Sequence, residues 1–196
     1  FPPDIDSARA HYETLAASGR HDTARIGKLY LASLGCIQRW PFPQLLIDSA
    51  MEGAFEPFEA DVLKATEHAV EVALVERCDG LDLLGFADGL SKLADRSRLG
   101  NSHPHVWRVR FSAARLAHAA GQNAFAIDQL EKGWGDGVAD PPLGVMLTEL
   151  LILSGRFEEA ARRLNQTRQR LGPEDTTGNR RIAELARLLT DGANSP

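Results

Sequence analysis

The chain has 196 residues, of which 43% are apolar and 25% are charged, and this composition is typical of a folded domain with a substantial core. Its formal net charge is -5, with ten Lys and Arg against sixteen Asp and Glu in residues 1–100 and twelve against eleven in residues 101–196. General nucleic-acid binding needs a concentrated basic stripe, so this balance argues against it.

The sequence predicts an all-α protein. Apolar residues recur at three- and four-residue spacing, and no segment combines alternating polarity with β-branched residues. The predicted helices cover residues 4–18, 21–35, 43–53, 57–78, 81–97, 104–120, 122–134, 142–154, 156–171 and 178–191. No apolar run reaches the ~20 residues that a membrane-spanning helix needs, so we expect no direct membrane insertion by this segment.

Glycine and proline mark the ends of these helices. Pro57, Pro104 and Pro141 stand at predicted helix starts, where the missing N–H costs little. Glycines stand at predicted helix ends, where a left-handed residue satisfies the last carbonyl groups: Gly19, Gly80, Gly100, Gly121, Gly155 and Gly172.

The segment Arg39–Gln44, with the sequence RWPFPQ, is the most unusual local stretch. Two prolines fix two aromatic residues, Trp40 and Phe42. One interpretation is a corner in which both rings fill the space between the first helical hairpin and the next. The alternative is an aromatic binding hot spot, because Trp and Arg are enriched among residues that carry binding energy.

The two cysteines, Cys36 and Cys78, lie 42 residues apart and form no Cys-x-x-Cys motif. We therefore expect two buried, unreactive free thiols, because a thiol away from positive charge stays protonated. A disulfide is the alternative in an oxidising compartment. Sequence alone does not place the two Cα atoms within the ~4.4–6.8 Å that a bridge requires.

Three further motifs favour structural interpretations. Residues 133–137, GWGDG, lack the Lys-Ser/Thr ending of a phosphate loop and are predicted to form a turn, with Trp134 packed on a neighbouring helix. His103 and His105 diverge across a proline without an acidic or Cys partner spaced nearby, so no metal site or cofactor is expected. The nucleophile motif Gly-x-Ser-x-Gly does not occur, and we expect no enzyme activity.

One internal repeat is visible. The segment LAHAAGQNAFAIDQL at 116–130 aligns with LLILSGRFEEAARRL at 150–164, which places Gly121 and Gly155 34 residues apart. Small residues, Ala126 and Ala160, come five positions after each glycine, and leucines come nine positions after it.

This spacing resembles the tetratricopeptide repeat, a 34-residue helix-turn-helix unit. Gly155, Phe157, Ala160 and Leu164 match the family pattern, whereas Arg110 stands where the family has a bulky apolar residue. The resemblance implies one domain over 1–196, a right-handed α-α superhelix of antiparallel helix pairs. Residues 1–104 would form irregular hairpins, 105–172 two repeats, and 173–196 a capping helix.

The resemblance also implies a binding surface on the first helix of each pair. The groove positions of the family, transferred to this sequence, correspond to Arg108, Phe111, Arg115, Val145 and Glu149. A weaker extrapolation adds Arg77 and Val70. Three arginines and an aromatic residue would suit an acidic or carboxylate-ended peptide. The alternative is that these side chains only solvate the surface.

These observations lead to three hypotheses about function. The first is a non-catalytic scaffold that binds a protein or peptide. The second is a domain, with the periplasm as one location, of a larger bacterial membrane protein such as a glycan polymerase or ligase, and the start FPPDIDS, typical of an excised domain, slightly favours it. The third is an enzyme on a helical-repeat scaffold. Eighteen arginines against four lysines suggest a GC-rich bacterial source. The location of the protein in the bacterium is then either the cytoplasm or the periplasm.

Overall fold

The computed structural model describes residues 4–41, 43–135, 140–172 and 174–193, and every regular element within these ranges is a helix. These helices are α1 (Ile5–Ala16), α2 (His21–Gln38), α3 (Pro43–Met51), α4 (Glu59–Glu76), α5 (Leu83–Asp95), α6 (Pro104–Ala119), α7 (Asn123–Gly135), α8 (Pro141–Leu153), α9 (Phe157–Arg170) and α10 (Thr176–Ala193). Each predicted helix is confirmed, with ends that differ by at most three residues. Within the described ranges, none combines the length and apolarity needed to cross a bilayer.

Most successive helices pack on each other, but α4 packs mainly on α2 and α6 rather than on α3 or α5. Helix α6 packs on α5 and α7, and α8 packs on α7 and α9. The even-numbered helices α2, α4 and α6 also lie side by side, and α10 closes the C-terminal end against α8 and α9. This packing is consistent with a helical repeat.

One apolar core runs from α2 to α9. Helix α5 contributes Phe86 and Leu90, and α8 contributes Leu147 and Leu151, all of them fully buried. A second cluster of Leu164, Ile182 and Leu185 joins α9 to α10. Burial of these apolar side chains is the main force that holds successive helices together.

Helices α6 and α8 end in the same way. Gly121 and Gly155 have positive φ angles of 76° and 72°, respectively. The amide of the next residue donates to a carbonyl five positions earlier, from Gln122 to Ala117 at 2.8 Å and from Arg156 to Leu151 at 2.9 Å. Both ends are Schellman caps, which need a residue that tolerates the left-handed conformation. The two glycines that the sequence aligns therefore end their helices with the same hydrogen-bond pattern.

The small residue after each of these caps is completely buried, as Ala126 and Ala160 show. We expect Ala160→Leu to lower the free energy of unfolding by about 1–3 kcal/mol, because a larger side chain overpacks the contact between α8 and α9. Chemical denaturation measures the change. The control is Ala124→Leu on the exposed face of α7, for which a change within about 0.5 kcal/mol is expected. An Ala160→Leu protein as stable as the wild type would contradict the packing described.

The prediction of two free thiols is wrong. Cys36 and Cys78 form a disulfide with their Cα atoms 5.1 Å apart. Cys36 lies near the end of α2 and Cys78 comes shortly after the end of α4, and the packing of α2 on α4 brings the two ends together. The bridge therefore fastens α2 to the end of α4.

The buried Arg110 of α6 replaces the apolar residue that the repeat pattern calls for. Its guanidinium group donates to Asp95 at 2.8 Å, to Asn101 at 2.8 and 3.1 Å, and to Gln129 at 3.3 Å. These partners come from α5, the loop after it, and α7. A buried cation is tolerated when it is paired and hydrogen-bonded in this way. Trp107, one turn earlier, is also buried.

Candidate binding groove

Two clefts adjoin on the side of the fold that α4, α6 and α8 share. The first has a volume of about 450 Å³ and includes His68, Arg108 and Pro142 in its walls. The second has a volume of about 360 Å³ and includes Leu74 and Met146. Phe111 lines both clefts. We call the combined surface the central groove.

Helix α6 provides the middle of the central groove. Pro104 opens the helix and the His103 side chain caps it by accepting from the amide of His105 at 3.3 Å. Trp107 and Phe111 lie one turn apart on α6, so their rings fall on the same helix face. The groove consequently has an aromatic floor at its centre, with charged side chains above it.

Most charges on the groove walls already have partners. Arg115 on α6 forms an ion pair with Glu71 on α4. Glu67 pairs with the His105 ring at 2.8 Å, when that ring is protonated. Together these contacts join α4 to α6. Because they are partly exposed, each stabilises the fold only weakly.

The second cleft has a paired carboxylate at its edge. Glu149 on α8 pairs with Arg181 on α10 at 2.6 Å. This contact ties α10 to the groove wall. The hydrogen bond to Glu149 raises the pKa of Arg181, and a second one to Glu184 acts in the same direction.

Two cations in the first cleft differ from these paired groups. Lys64 and Arg108 line the cleft, and neither forms an ion pair with any residue that the structure describes. The guanidinium group of Arg108 lies 5.4 Å from the Trp107 ring centre, within the range of a cation–π contact. Their charges are thus available to an anionic group that enters the groove.

Asp140, at the start of α8, lies on the same cleft. Burial raises the pKa of its carboxyl group, and the positive charge of Arg108 partly opposes that shift. Its Oδ1 atom is buried without a hydrogen-bond partner in the described part of the chain. The carboxylate therefore lowers the net positive charge near Arg108 without forming an ion pair with it.

The structure brings together four of the predicted groove residues. The central groove is lined by Arg108, Phe111, Arg115 and Glu149. Val145 instead packs against the second apolar cluster near α10. Arg77 ends α4 in the left-handed conformation, with φ 49°, and lines neither cleft of the groove. The prediction for Val70 is wrong, because its side chain is fully buried in the core.

Trp40 lies away from the central groove. Its ring packs on Gly35 of α2, and the guanidinium group of Arg9 on α1 lies 4.6 Å from the ring centre. Trp40 therefore packs within the first hairpin, between α1 and α2, and not between that hairpin and the next, where the corner interpretation places it. Phe42 lies outside the described residues.

The sequence pattern did not identify two residues of α4 that line the groove. Lys64 and His68 are exposed and stand four positions apart, so they share one helix face. The signal that could have identified them is their polarity, because they interrupt the apolar pattern of α4. Val70 lies two positions from His68 and therefore points elsewhere.

The remaining motifs add no chemistry to the site. The rings of His103 and His105 lie 5.6 Å apart, and no group of three or more His, Cys, Asp or Glu within the described ranges is arranged to hold a metal. In the 133–137 segment, α7 continues through Gly135, and residues 136 and 137 lie outside the described ranges. The predicted turn is therefore wrong for residues 133–135, which belong to α7. Trp134 is buried and its ring packs against Gly144 of the neighbouring helix α8, as predicted.

The central groove therefore consists of an aromatic floor, charged side chains paired between neighbouring helices, the cations Lys64 and Arg108, and the carboxyl group of Asp140. A scan against protein-family models, a search of curated proteins and a search of solved structures each found no significant match for this chain.

Proposed function

We propose that this chain is a non-catalytic binding module that holds a peptide or an extended segment of a partner protein in the central groove. The observation that carries the proposal is the continuity of the two clefts through Phe111. An apolar floor with a few polar groups at its edge is the usual composition of a recognition site.

The tetratricopeptide-like arrangement supports this proposal. Equivalent Schellman caps at Gly121 and Gly155 match a 34-residue repeat, and α6 and α8 would then be the first helices of the pairs α6–α7 and α8–α9, with α4 packed beside α6. In a right-handed α-α superhelix, this set of helices would line the concave surface. The central groove, between α4, α6 and α8, would be part of that surface.

The partner that we propose carries an acidic segment. Lys64 and Arg108 lack ion pairs within the described part of the chain, whereas Arg115 is neutralised by Glu71. A carboxylate of the partner would pair with the first two residues, and Arg108 offers the planar fork of donors that suits a carboxylate.

Reversal of the charge at Arg108 tests this proposal. Peptides selected from a displayed random library on the wild-type protein are expected to bind the Arg108→Glu variant at least about tenfold more weakly, because a carboxylate then faces a carboxylate. The dissociation constants are measured by calorimetry at low and at high salt. Binding to the wild type should weaken as salt screens the exposed charges.

The matched control is Arg187→Glu on the exposed surface of α10. Both variants should have unfolding free energies within about 0.5 kcal/mol of the wild type, since exposed charges contribute little to folding. Selected peptides that bind Arg108→Glu and wild type equally well would contradict the proposal that the partner segment is acidic. Failure to select any peptide would contradict the binding function itself.

A second candidate is a periplasmic domain of a larger bacterial membrane protein, where the same groove would dock partners or substrates. The disulfide between Cys36 and Cys78 favours it, because disulfides persist in oxidising compartments and are rare in the cytosol. We expect the full-length protein of the source organism to fractionate with membranes and to carry the oxidised bridge. Recovery of a reduced chain from the cytosol would exclude this candidate.

A further inference from the structure

A third cleft, between α1, α2 and α4, adjoins the central groove. It has a volume of about 260 Å³ and shares His68 with the first cleft of the groove. We call it the apolar cleft, because Leu34, Ile5 and Ile37 form much of its wall. Ile5 and Ile37 are 36% and 51% exposed. Exposed aliphatic side chains that surround a concavity are typical of a surface that a partner covers.

The wall of the apolar cleft is already ordered. The rings of Tyr12 and Tyr30 stack with their centres 5.1 Å apart, and the Tyr30 ring contacts the His68 ring at 5.4 Å. The hydroxyl of Ser33, also in the wall, donates to the Leu29 carbonyl at 2.8 Å, so it does not need a ligand. An apolar group would therefore fit without leaving this polar group unpaired.

The size of the apolar cleft suits one side chain. Sites for whole small molecules usually have volumes of about 300–1,000 Å³, above the 260 Å³ found here. A single bulky aliphatic or aromatic side chain on a longer segment would fill it. The rest of that segment would continue past His68 into the central groove.

The charges near His68 favour an acidic residue in the part of the segment that enters the central groove. Lys64 lies one turn before His68 on α4, and Arg108 lies on the same cleft of the groove. Both cations lack ion pairs in the described ranges, whereas Arg115 neutralises Glu71 and Glu67 forms a hydrogen bond with the His105 ring. Asp140 also lines this cleft, and burial raises the pKa of its carboxyl group. A negative group of the segment would pair with Lys64 and Arg108, in the cleft next to the apolar one.

We infer that the apolar cleft is the anchor site for a bulky apolar side chain of the partner, on the same segment whose acidic group pairs with Lys64 and Arg108. This inference rests on the proposed function and narrows it. The partner is a peptide segment in which a bulky apolar residue lies close to an acidic one. Neither feature alone would occupy both clefts.

The test fills the apolar cleft from within. Ala8 of α1 lines the cleft, so Ala8→Phe should block it, whereas Ala10→Phe on the exposed side of α1 leaves it open. The probes are the peptides selected on the wild type, each also synthesised with its apolar residue replaced by alanine. We expect Ala8→Phe to weaken binding by about tenfold or more, since burial of one large apolar side chain is lost. Ala10→Phe should stay within about twofold.

The alanine-substituted peptides complete a double-mutant cycle. They should bind the wild type about tenfold more weakly than the parent peptides, yet lose little further affinity on the Ala8→Phe protein. Ile37→Ser serves as a second variant, because Ile37 is half exposed and its replacement spares the core. It should weaken binding in the same direction. Melting curves verify that each variant is folded.

The other outcomes separate this inference from the proposed function. Peptides that lose affinity on Arg108→Glu but bind Ala8→Phe and Ile37→Ser like the wild type would overturn this inference and leave the proposed function standing. Absence of any selected peptide would overturn both. Sedimentation that shows a wild-type dimer and an Ala8→Phe monomer would identify a second copy of the chain as the occupant, which also overturns the inference.

Discussion

The double variant Cys36→Ser, Cys78→Ser is expected to lose about 4 kcal/mol of unfolding free energy. The bridge joins positions 42 residues apart, and its removal frees the unfolded chain from a loop of that length. Part of the loss would come from Cys36 itself, which is buried in the wild type. Urea denaturation of the variant and the oxidised wild type measures the difference.

The redox state is checked on the same protein. The intact mass of the native chain should be lower by two hydrogen atoms than that of the reduced chain, and alkylation without denaturant should label neither cysteine. A reductant should lower the stability of the wild type and leave that of the double variant unchanged. Full labelling of both thiols in the folded native protein would contradict the disulfide.

Asp95→Ala is expected to cost about 3 kcal/mol, the second largest effect. Arg110 is only 2% exposed, and Asp95 is its acidic partner at 2.8 Å. Removal of one partner from a buried ion pair leaves an uncompensated charge, which costs about 3–5 kcal/mol when both groups are buried. The lower end applies because the Asp95 side chain is 51% exposed.

The control for Asp95 lies on the same helix. Asp88 pairs with Lys92 at 2.6 Å, but both side chains are largely exposed. Asp88→Ala should therefore change the free energy of unfolding by less than about 1 kcal/mol. Equal losses of unfolding free energy for Asp95→Ala and Asp88→Ala would show that Asp95 is not needed to compensate the buried charge of Arg110.

Local features of the fold were predictable from the sequence, because helix ends depend on nearby residues. Gly121 and Gly155 take the left-handed conformation that their positions at helix ends predict. Arg39 and Arg77 were not expected to do so, yet both end helices with positive φ angles. Glycine is preferred at this position because it avoids a Cβ clash, but other residues can adopt the left-handed conformation at a cost in free energy.

Long-range pairings were not predictable in the same way. The disulfide depends on the packing of α2 against α4, which no short sequence motif encodes. Arg110 does not match the repeat pattern, and its pairing could not be predicted either. Its partners, Asp95, Asn101 and Gln129, are spread over 35 residues of sequence. Their meeting requires the tertiary structure.

The groove residues of α6 were predictable from the sequence. On α8 the prediction was correct for Glu149 and not for Val145. Arg108, Phe111 and Arg115 have helical spacing within one element, so they share a face whatever the neighbouring helices do. On α4, the resemblance placed Val70 in the groove, whereas His68 is the residue that lines it. Helix α4 lies outside the part of the chain that matches the repeat, so its register could not be transferred.

The most direct test of the proposed groove is the map of a bound peptide on the protein by NMR chemical-shift perturbation. We expect the selected peptides to shift the backbone signals of His68, Arg108, Phe111 and Met146, on α4, α6 and α8. The signals of α9 should remain in place. Shifts confined to α9, or to α3, α5 and α7, would place recognition on another face and contradict binding in the central groove.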